Sequence, residues 1–461
     1  MTTETLLSVR NGVRPKKRAV LSYLLKARRD QPNLLYRLAQ EYGNMVHLQL
    51  GSQTIFFVTG PVGVEHVLQS NQHNYRGFNY SHVKLRPLLG NGLLTSEGEL
   101  WLKHRRLAQQ AFHKEQMEQV SRLMVVTIQD FLARWQARVD SQAVQDIGAE
   151  MGLLTLAVVC ESLFGTRIGE RAAYVRDAWP QVLDHLVKRM VNPLHLPENI
   201  PVQGNRQYRQ SLDLLNETIY SLISDYRTTE QETGNLLGML IAAHHGELDT
   251  HLDDQELRDE VMTILLAGHE TCANALTWTF YLLAQHPEIQ ERLAEEVSGA
   301  LDGRVPGYQD LANLPYTAMV FNEALRLYPP AWIMARDVLE DDVIEGYAVP
   351  AGSSVFLSPY VTHRLSEFWP DPLRFDPLRF SPERAQDRPR FAYFPFGGGQ
   401  RQCLGKNFAL IEARLAIPLI IQRYRFSIAE TAAPGMGLAA EPLPTYNMRP
   451  DRNIWLRLEK R

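Results

Sequence analysis

The chain has 461 residues, 45% of them hydrophobic and 22% charged, with 48 Lys and Arg against 52 Asp and Glu for a formal net charge of -4. This suits a globular protein with a sizeable core, and the near balance of charge excludes a dedicated nucleic-acid binder. Three cysteines, Cys160, Cys272 and Cys403, make no disulfide framework and point to a reducing, cytoplasmic setting.

Residues 1–29 mix Leu with Arg and Lys. They hold neither an apolar signal core nor the ~20 apolar residues of a membrane span, and are read as an N-terminal segment ahead of a single domain over 30–461. Alternating runs at Met45–Leu50 and Thr54–Thr59, flanking Gly51-Ser52, predict a hairpin. Further short strands are expected at Ile333–Val338, Val343–Ala348 and Ser353–Leu357. Helical patterns fill most of the rest. The stretch Asp253–Gln285 opens with acidic capping residues, contains no Pro and stops at His286-Pro287, which predicts one very long helix. At about 1.5 Å per residue it spans roughly 48 Å, and its acids and amides exclude a membrane span, so it must cross the core. The expected fold class is mainly α with a small β-rich lobe.

Along this frame lie residues that can carry chemistry. Trp101 and Arg105 are four apart on an expected helix, so indole N–H and guanidinium share a side and can bind one carboxylate. In the long helix, Ala267-Gly268-His269-Glu270-Thr271 follows the apolar run Ile264-Leu265-Leu266. Small residues there open space beside a flat cofactor, a Gly invites a kink or bulge, and Glu270 with Thr271 can relay protons. The bland alternative has Thr271 bonded back to its own helix and Glu270 in solvent. A zinc site fails, because the second His it needs at position 273 is Ala273. Glu323 and Arg326 stand one turn apart before Pro329-Pro330; a surface pair of about 0–1 kcal/mol is the commoner meaning of such spacing.

The run from Phe394 to Gly405 leads a lone cysteine into an apolar helix expected from Lys406 to about Arg423. At a helix N-terminus, backbone N–H groups and the helix dipole stabilise a thiolate, as a metal ligand requires. The glycines permit close backbone approach, Arg401 offers a cation to an anionic cofactor group, and Phe396 can shield the sulfur. An inert buried thiol is the alternative.

The spacing Phe396-x-x-Gly399-x-Arg401-x-Cys403-x-Gly405 resembles the haem-binding signature of the cytochrome P450 family at all five fixed positions. The string Ala267–Thr271 resembles that family's oxygen-activation motif. Glu323 and Arg326, completed by Arg379, resemble its E-x-x-R motif, and Trp101 with Arg105 its W-x-x-x-R helix. Arg336 matches a further family arginine, and the resemblance makes His104 and His363 weaker candidates for the carboxylates that Trp101 and Arg105 would bind. The resemblance runs from about residue 30 to the end; Asn11–Arg29 is basic where the family commonly has a Pro- and Gly-rich entry.

The resemblance implies a long central helix over haem b (iron protoporphyrin IX), with Cys403 as axial ligand. It places Trp101, His104, Arg105, Ala267, Gly268, Arg336, Phe396, Arg401 and Gly405 around the cofactor. Thr271 and Glu270 then serve the bound dioxygen, and Glu323, Arg326 and Arg379 form a buried structural triad. Substrate contacts fall on variable segments whose side chains are mostly apolar: Phe78, Tyr80, Leu88, Leu89, Leu186, Ile264, Trp332, Ile333, Met334 and Tyr446. Such a lining suits a hydrophobic, lipid-like or terpenoid substrate. Thiolate donation favours O–O cleavage, so the implied reaction is a monooxygenation. With no Gly-x-Gly-x-x-Gly or Cys-x-x-Cys in the chain, electrons are expected from NAD(P)H through a reductase and a ferredoxin or flavodoxin. Arg105, Arg106, Lys114, Lys406 and Arg414 form either its landing site or an ordinary solvated face. A haem-thiolate peroxygenase or isomerase and a non-enzymatic haem sensor are the rival functions; the Glu270-Thr271 pair speaks against both.

Overall fold

The computed structural model describes residues 30–50, 52–77, 80–141, 144–169, 171–191, 197–228, 235–246, 251–429 and 439–461. Phe78 and the 1–29 segment lie outside the described residues, as does the side chain of Tyr80. The principal helices in chain order are α1 (Gln31–Tyr42), α2 (Gly98–Gln109), α3 (Lys114–Ser141), α4 (Ile147–Leu163), α5 (Gln203–Thr228), α6 (Asp254–Gln285), α7 (Pro315–Leu327) and α8 (Lys406–Ile421). The strands are β1 (Met45–Leu50), β2 (Gln53–Val58), β3 (Tyr75–Arg76), β4 (Val144–Asp146), β5 (Met334–Val338), β6 (Asp342–Ile344), β7 (Tyr347–Val349), β8 (Ser354–Leu357), β9 (Tyr424–Ile428), β10 (Pro442–Pro444), β11 (Met448–Pro450) and β12 (Trp455–Lys460). The chain forms two compact units, the first from the segments up to Tyr80, Asn322–Cys403 and Pro442–Arg449, the second from Ser81–Phe321, Leu404–Glu441 and Pro450–Arg461.

The first unit is built on a five-stranded sheet in the order β1-β2-β8-β5-β3. The hairpin β1/β2 forms as the alternating pattern predicts, and β8 joins β2 in parallel. Because side chains alternate across a strand, the sheet makes two cores. Phe56, Val58, Val355 and Leu357 pack on one face with Met45, Leu68, Phe391 and Phe394. Val46 and Phe57 pack on the other with Trp332, Tyr360, Val361 and Met448. One expectation is corrected: Val343–Ala348 is two short strands, β6 and β7, joined by a tight turn. Glu345 and Gly346 both have positive φ, 49° and 83°, the backbone a two-residue hairpin requires. Alternating polarity alone hid that turn.

The second unit is mostly helical. The long helix appears as expected, with Asp253 as its N-cap. The Asp253 carboxylate accepts from Glu256 N at 2.7 Å, and the Glu256 side chain accepts from Asp253 N at 3.0 Å, a reciprocal cap that satisfies two orphan donors. Pro287 follows the last turn and stops the helix. Helix α6 packs along α4, whose residues are buried almost throughout. Beside it β12 pairs with both β4 and β9, a sheet with no clear signal in the sequence. Trp135 of α3 packs edge-on to Tyr424, and Phe280 of α6 packs on Phe426, with ring centroids 5.3 and 4.9 Å apart. Among the described residues, no helix is long and apolar enough to cross a membrane.

Candidate active site

The cysteine loop belongs to the first unit and is closed by its own backbone. Gly397 N donates to Phe394 O at 3.0 Å, Gln402 N to Gly399 O at 3.2 Å, and Cys403 N to Phe396 O at 3.0 Å. Its glycines are required sterically. A Cβ on Gly398 would lie 2.6 Å from the Phe391 ring, and one on Gly399 would lie 1.7 Å from the Leu68 carbonyl oxygen. Gly399 also has φ +65°, where a side chain is strained as well as crowded. Next to it the Gln72 side chain accepts from Gln400 N at 2.7 Å. The loop thus rests on the short helical segment that holds Leu68. Of the three cysteines, Cys160 and Cys272 are buried and Cys403 is exposed, as a sulfur that must meet a ligand has to be. Helix α8 starts at Lys406 with Gly405 as its N-cap.

Behind the loop sits a buried cluster of charge. Glu323 and Arg326 of α7 are fully buried and paired twice, at 2.6 and 2.8 Å. Arg379 Nε lies 3.3 Å from the same carboxylate, which also accepts from Asp376 N at 3.0 Å. The structure therefore brings the three predicted triad residues together. Arg326 spends its other donors on the carbonyls of His363, Pro372 and Arg374, at 2.8, 2.7 and 3.2 Å. Arg379 donates to Pro370 O and Asp371 O. Burying such a cluster costs desolvation, and what it secures is the path of residues 363–379.

Several expected contacts are placed differently. His363 is fully buried, and its Nε2 accepts from Phe394 N at 3.0 Å. It holds the loop and does not face a carboxylate. Met334 lies against Gly397, 3.6 Å from where a Cβ would stand, and belongs to the sheet core. Trp332 and Ile333 pack in the other core, with the indole donating to Thr445 O at 3.1 Å. These three side chains are taken up by packing, because they flank a central strand with a core on each face. Tyr446 and Arg336 are half-buried, and the Arg336 guanidinium donates to Ala335 O at 2.9 Å. Phe396 and Arg401 are half-buried.

In the second unit, Trp101 is buried and Arg105 half-buried on α2. His104 does not sit as expected. Its imidazole is wholly buried, with Nδ1 2.7 Å from Glu260 and Nε2 3.6 Å from Glu256 of α6. Lys103 joins the cluster, 2.9 Å from both Glu256 oxygens. A buried imidazole needs acceptors, and α6 supplies them. Burial pushes the Glu260 carboxyl up, against the pull of His104. One turn along, Asp259 accepts from Asn91 N at 2.7 Å, and Arg258 reaches Asn216 of α5 at 3.1 Å. Leu88, Leu89 and Leu186 are at most 1% exposed and Ile264 is 7% exposed.

At the centre of α6, the Thr271 hydroxyl donates to Ala267 O at 2.6 Å, the back-bonded arrangement. Ala267 is exposed although the six residues before it are buried. Gly268 opens no space for a cofactor. A Cβ there would stand 2.9 Å from a Val159 methyl of α4, so its small size serves close helix packing. His269 is buried with Nδ1 3.1 Å from Thr155 Oγ1, and burial holds its pKa near 4, so it is neutral. Glu270 is half-buried.

Two buried acids were not singled out from the sequence. Glu412 interrupts the apolar run of α8, which was the available signal; Glu260 follows Arg258 and Asp259 at the polar start of α6 and gave none. Glu412 of α8 is wholly enclosed beside the Cys272 thiol, and burial pushes its carboxyl up to about 8. The first unit presents an exposed thiol on a braced loop; in the second, α6 carries a hydroxyl and a carboxyl group beside a small residue.

The family model of Cytochrome P450 matches residues 14–443 of this sequence. The chain belongs to the cytochrome P450 family, and it is an oxidoreductase of the monooxygenase type, a family that uses haem and dioxygen. Among its relatives is cyclooctatin synthase of Streptomyces melanosporofaciens, 38% identical over 408 residues that cover 87% of this chain and 88% of that protein. Pentalenene oxygenase of Streptomyces avermitilis is 34% identical, covering 85% and 86%. Cyclooctat-9-en-7-ol 5-monooxygenase of Streptomyces melanosporofaciens is 35% identical, covering 83% of each chain.

Proposed function

We propose that Cys403 is the thiolate ligand of haem b and that the enzyme hydroxylates, or otherwise oxidises, a hydrophobic terpenoid substrate. The observation that carries the ligand assignment is the exposed Cys403 on a loop whose Gly398 and Gly399 admit no side chain. When bound, the haem supplies the dioxygen activation and C–H oxidation that no side chain can perform. Trp101, Arg105, Arg336 and Arg401 offer the donors and cations for its propionates, and Phe396 shields the sulfur. Thr271 and Glu270 handle protons. The Thr271 hydroxyl, now donating to Ala267 O, can turn to an incoming oxygen by rotating one χ angle, and the Glu270 carboxylate can replace its proton.

The substrate class rests on relatives whose names state oxidation of pentalenene and of a cyclooctat-9-en-7-ol; of the expected lining, Leu88, Leu89 and Leu186 are enclosed in the core and Ile264 keeps a little exposure. Electrons come from NAD(P)H through a reductase and a ferredoxin or flavodoxin. Arg106 and Lys114 are exposed and Arg105 and Lys406 half-buried, a basic set that can receive an acidic carrier. Arg414 drops out of it, because its guanidinium donates to Leu311 O. The test is a spectral titration with neutral polycyclic hydrocarbons and alcohols against polar ligands of similar size. Tight binding of the polar set alone would remove the terpenoid assignment.

A further inference from the structure

His363 is not used by the proposed chemistry, yet it is fully buried and placed where the cysteine loop begins. Its Nε2 accepts from Phe394 N at 3.0 Å. A backbone N–H only donates, so Nε2 must carry a lone pair and the ring proton must sit on Nδ1. The tautomer is therefore fixed by geometry. Nδ1 is buried and meets no hydrogen-bond partner among the described residues, so the ring is held for what its other nitrogen does.

The hydrogen bonds continue from there. Phe394 O accepts from Gly397 N at 3.0 Å, and Phe396 O accepts from Cys403 N at 3.0 Å. On the other side, the His363 carbonyl is gripped by Arg326 at 2.8 Å. One residue thus joins the buried Glu323–Arg326 pair to the segment that presents the sulfur.

The surroundings oppose a second proton on this ring. Arg326 and Arg364 are buried cations beside it, and the Arg364 guanidinium stacks on Tyr360 with its carbon 3.6 Å from the ring centre. Arg388 lies 3.9 Å over Trp369, itself one of the rings around His363. Tyr393, 5.0 Å away, donates to Asn322 O and is kept un-ionised by burial. Glu323 is neutralised by Arg326 and Arg379. Burial first and these cations second hold the His363 pKa well below the ordinary range.

We propose that His363 is a positioning residue for the thiolate: an imidazole kept neutral as an acceptor, which sets Phe394 and hence the loop carrying Cys403. This rests on Cys403 being the haem ligand. Losing a buried acceptor that leaves Phe394 N–H unsatisfied is worth roughly a fivefold or larger change in the loop's equilibrium.

The test uses the holoenzyme and two variants, His363→Leu and His363→Gln. It reads the fraction of the ferrous carbonyl complex showing the strongly red-shifted Soret band of thiolate ligation, from about pH 8 down to about pH 5. Haem content and thermal melting are followed alongside. The wild type should keep the band over the whole range, because the buried ring stays neutral. His363→Leu should lose about fivefold or more of it at neutral pH with haem retained. His363→Gln should keep the band over the same range, since an amide oxygen can accept the same hydrogen bond. A His363→Leu enzyme with the wild-type band would overturn the proposal. So would a His363→Gln enzyme that keeps its haem and its melting temperature yet loses the band, which decides the matter even where the leucine variant does not fold. A wild-type enzyme that never shows the band strikes at the Cys403 assignment instead, and the proposal falls with it.

Discussion

The cysteine loop and the middle of α6 carry the two halves of the proposed chemistry, and the chain secures them by opposite means. In the loop, Gly398 and Gly399 are hemmed in by Phe391 and Leu68, and a buried ion cluster binds the carbonyls of the segment behind it. At the middle of α6, the Thr271 hydroxyl is returned to its own helix, a contact that one bond rotation breaks. A metal ligand must keep its place through turnover, and buried charge gives it that. A hydroxyl that passes protons must turn, and a local hydrogen bond lets it.

The sharpest way to break that contrast is Arg326→Ala. It leaves buried Glu323 only the more distant Arg379 and releases three carbonyls, so denaturant titration should show a loss of about 3–5 kcal/mol. A loss near that of a surface pair would mean the cluster does not frame the loop. Gly399→Ala comes next. Positive φ and the Leu68 carbonyl should together cost about 2–4 kcal/mol. Gly299→Ala, where nothing lies within 4 Å of the new Cβ in a helix, should instead stabilise by up to about 1 kcal/mol. Equal effects in melting experiments would argue against crowding as the reason for the loop glycine.

Glu412→Gln tests burial on α8. The unfolded chain gives up this proton from about 4.5, whereas the folded protein keeps it until about 8. The stability it contributes is thus fully present below the lower value and is lost as pH rises through the upper one. The variant should flatten that decline, which a shift from about 4.5 to about 8 makes about 5 kcal/mol, in unfolding curves taken across the window. An unchanged slope would place the titration elsewhere. The smallest effect on the fold belongs to Thr271→Ala, which should move stability by no more than about 0.5 kcal/mol. It should leave haem content intact while lowering product formed per electron consumed. Unchanged coupling would remove Thr271 from proton handling.

Much of this was legible in the residues. The long helix announced itself through its acidic start and terminal Pro, and the hairpin β1/β2 through strict alternation, because caps and period-2 patterns are local signals. The triad could be named because Glu323 and Arg326 share a helix face. What they hold could not, since those partners are backbone carbonyls up to 48 residues away. His104, His363 and Gly268 were misplaced for one reason: each was assigned outward to a cofactor, whereas its partner is another part of the chain, at Glu260, Phe394 and Val159. Spacing along a chain reveals which face a residue shares; it does not reveal what that face meets.

The central claim is the sulfur at position 403. The most direct measurement is the ferrous carbonyl spectrum of the purified wild type beside that of Cys403→Ala. The account predicts a strongly red-shifted Soret band in the wild type that is abolished in the variant. A wild type that carries no haem, or a variant whose spectrum matches the wild type, would contradict it.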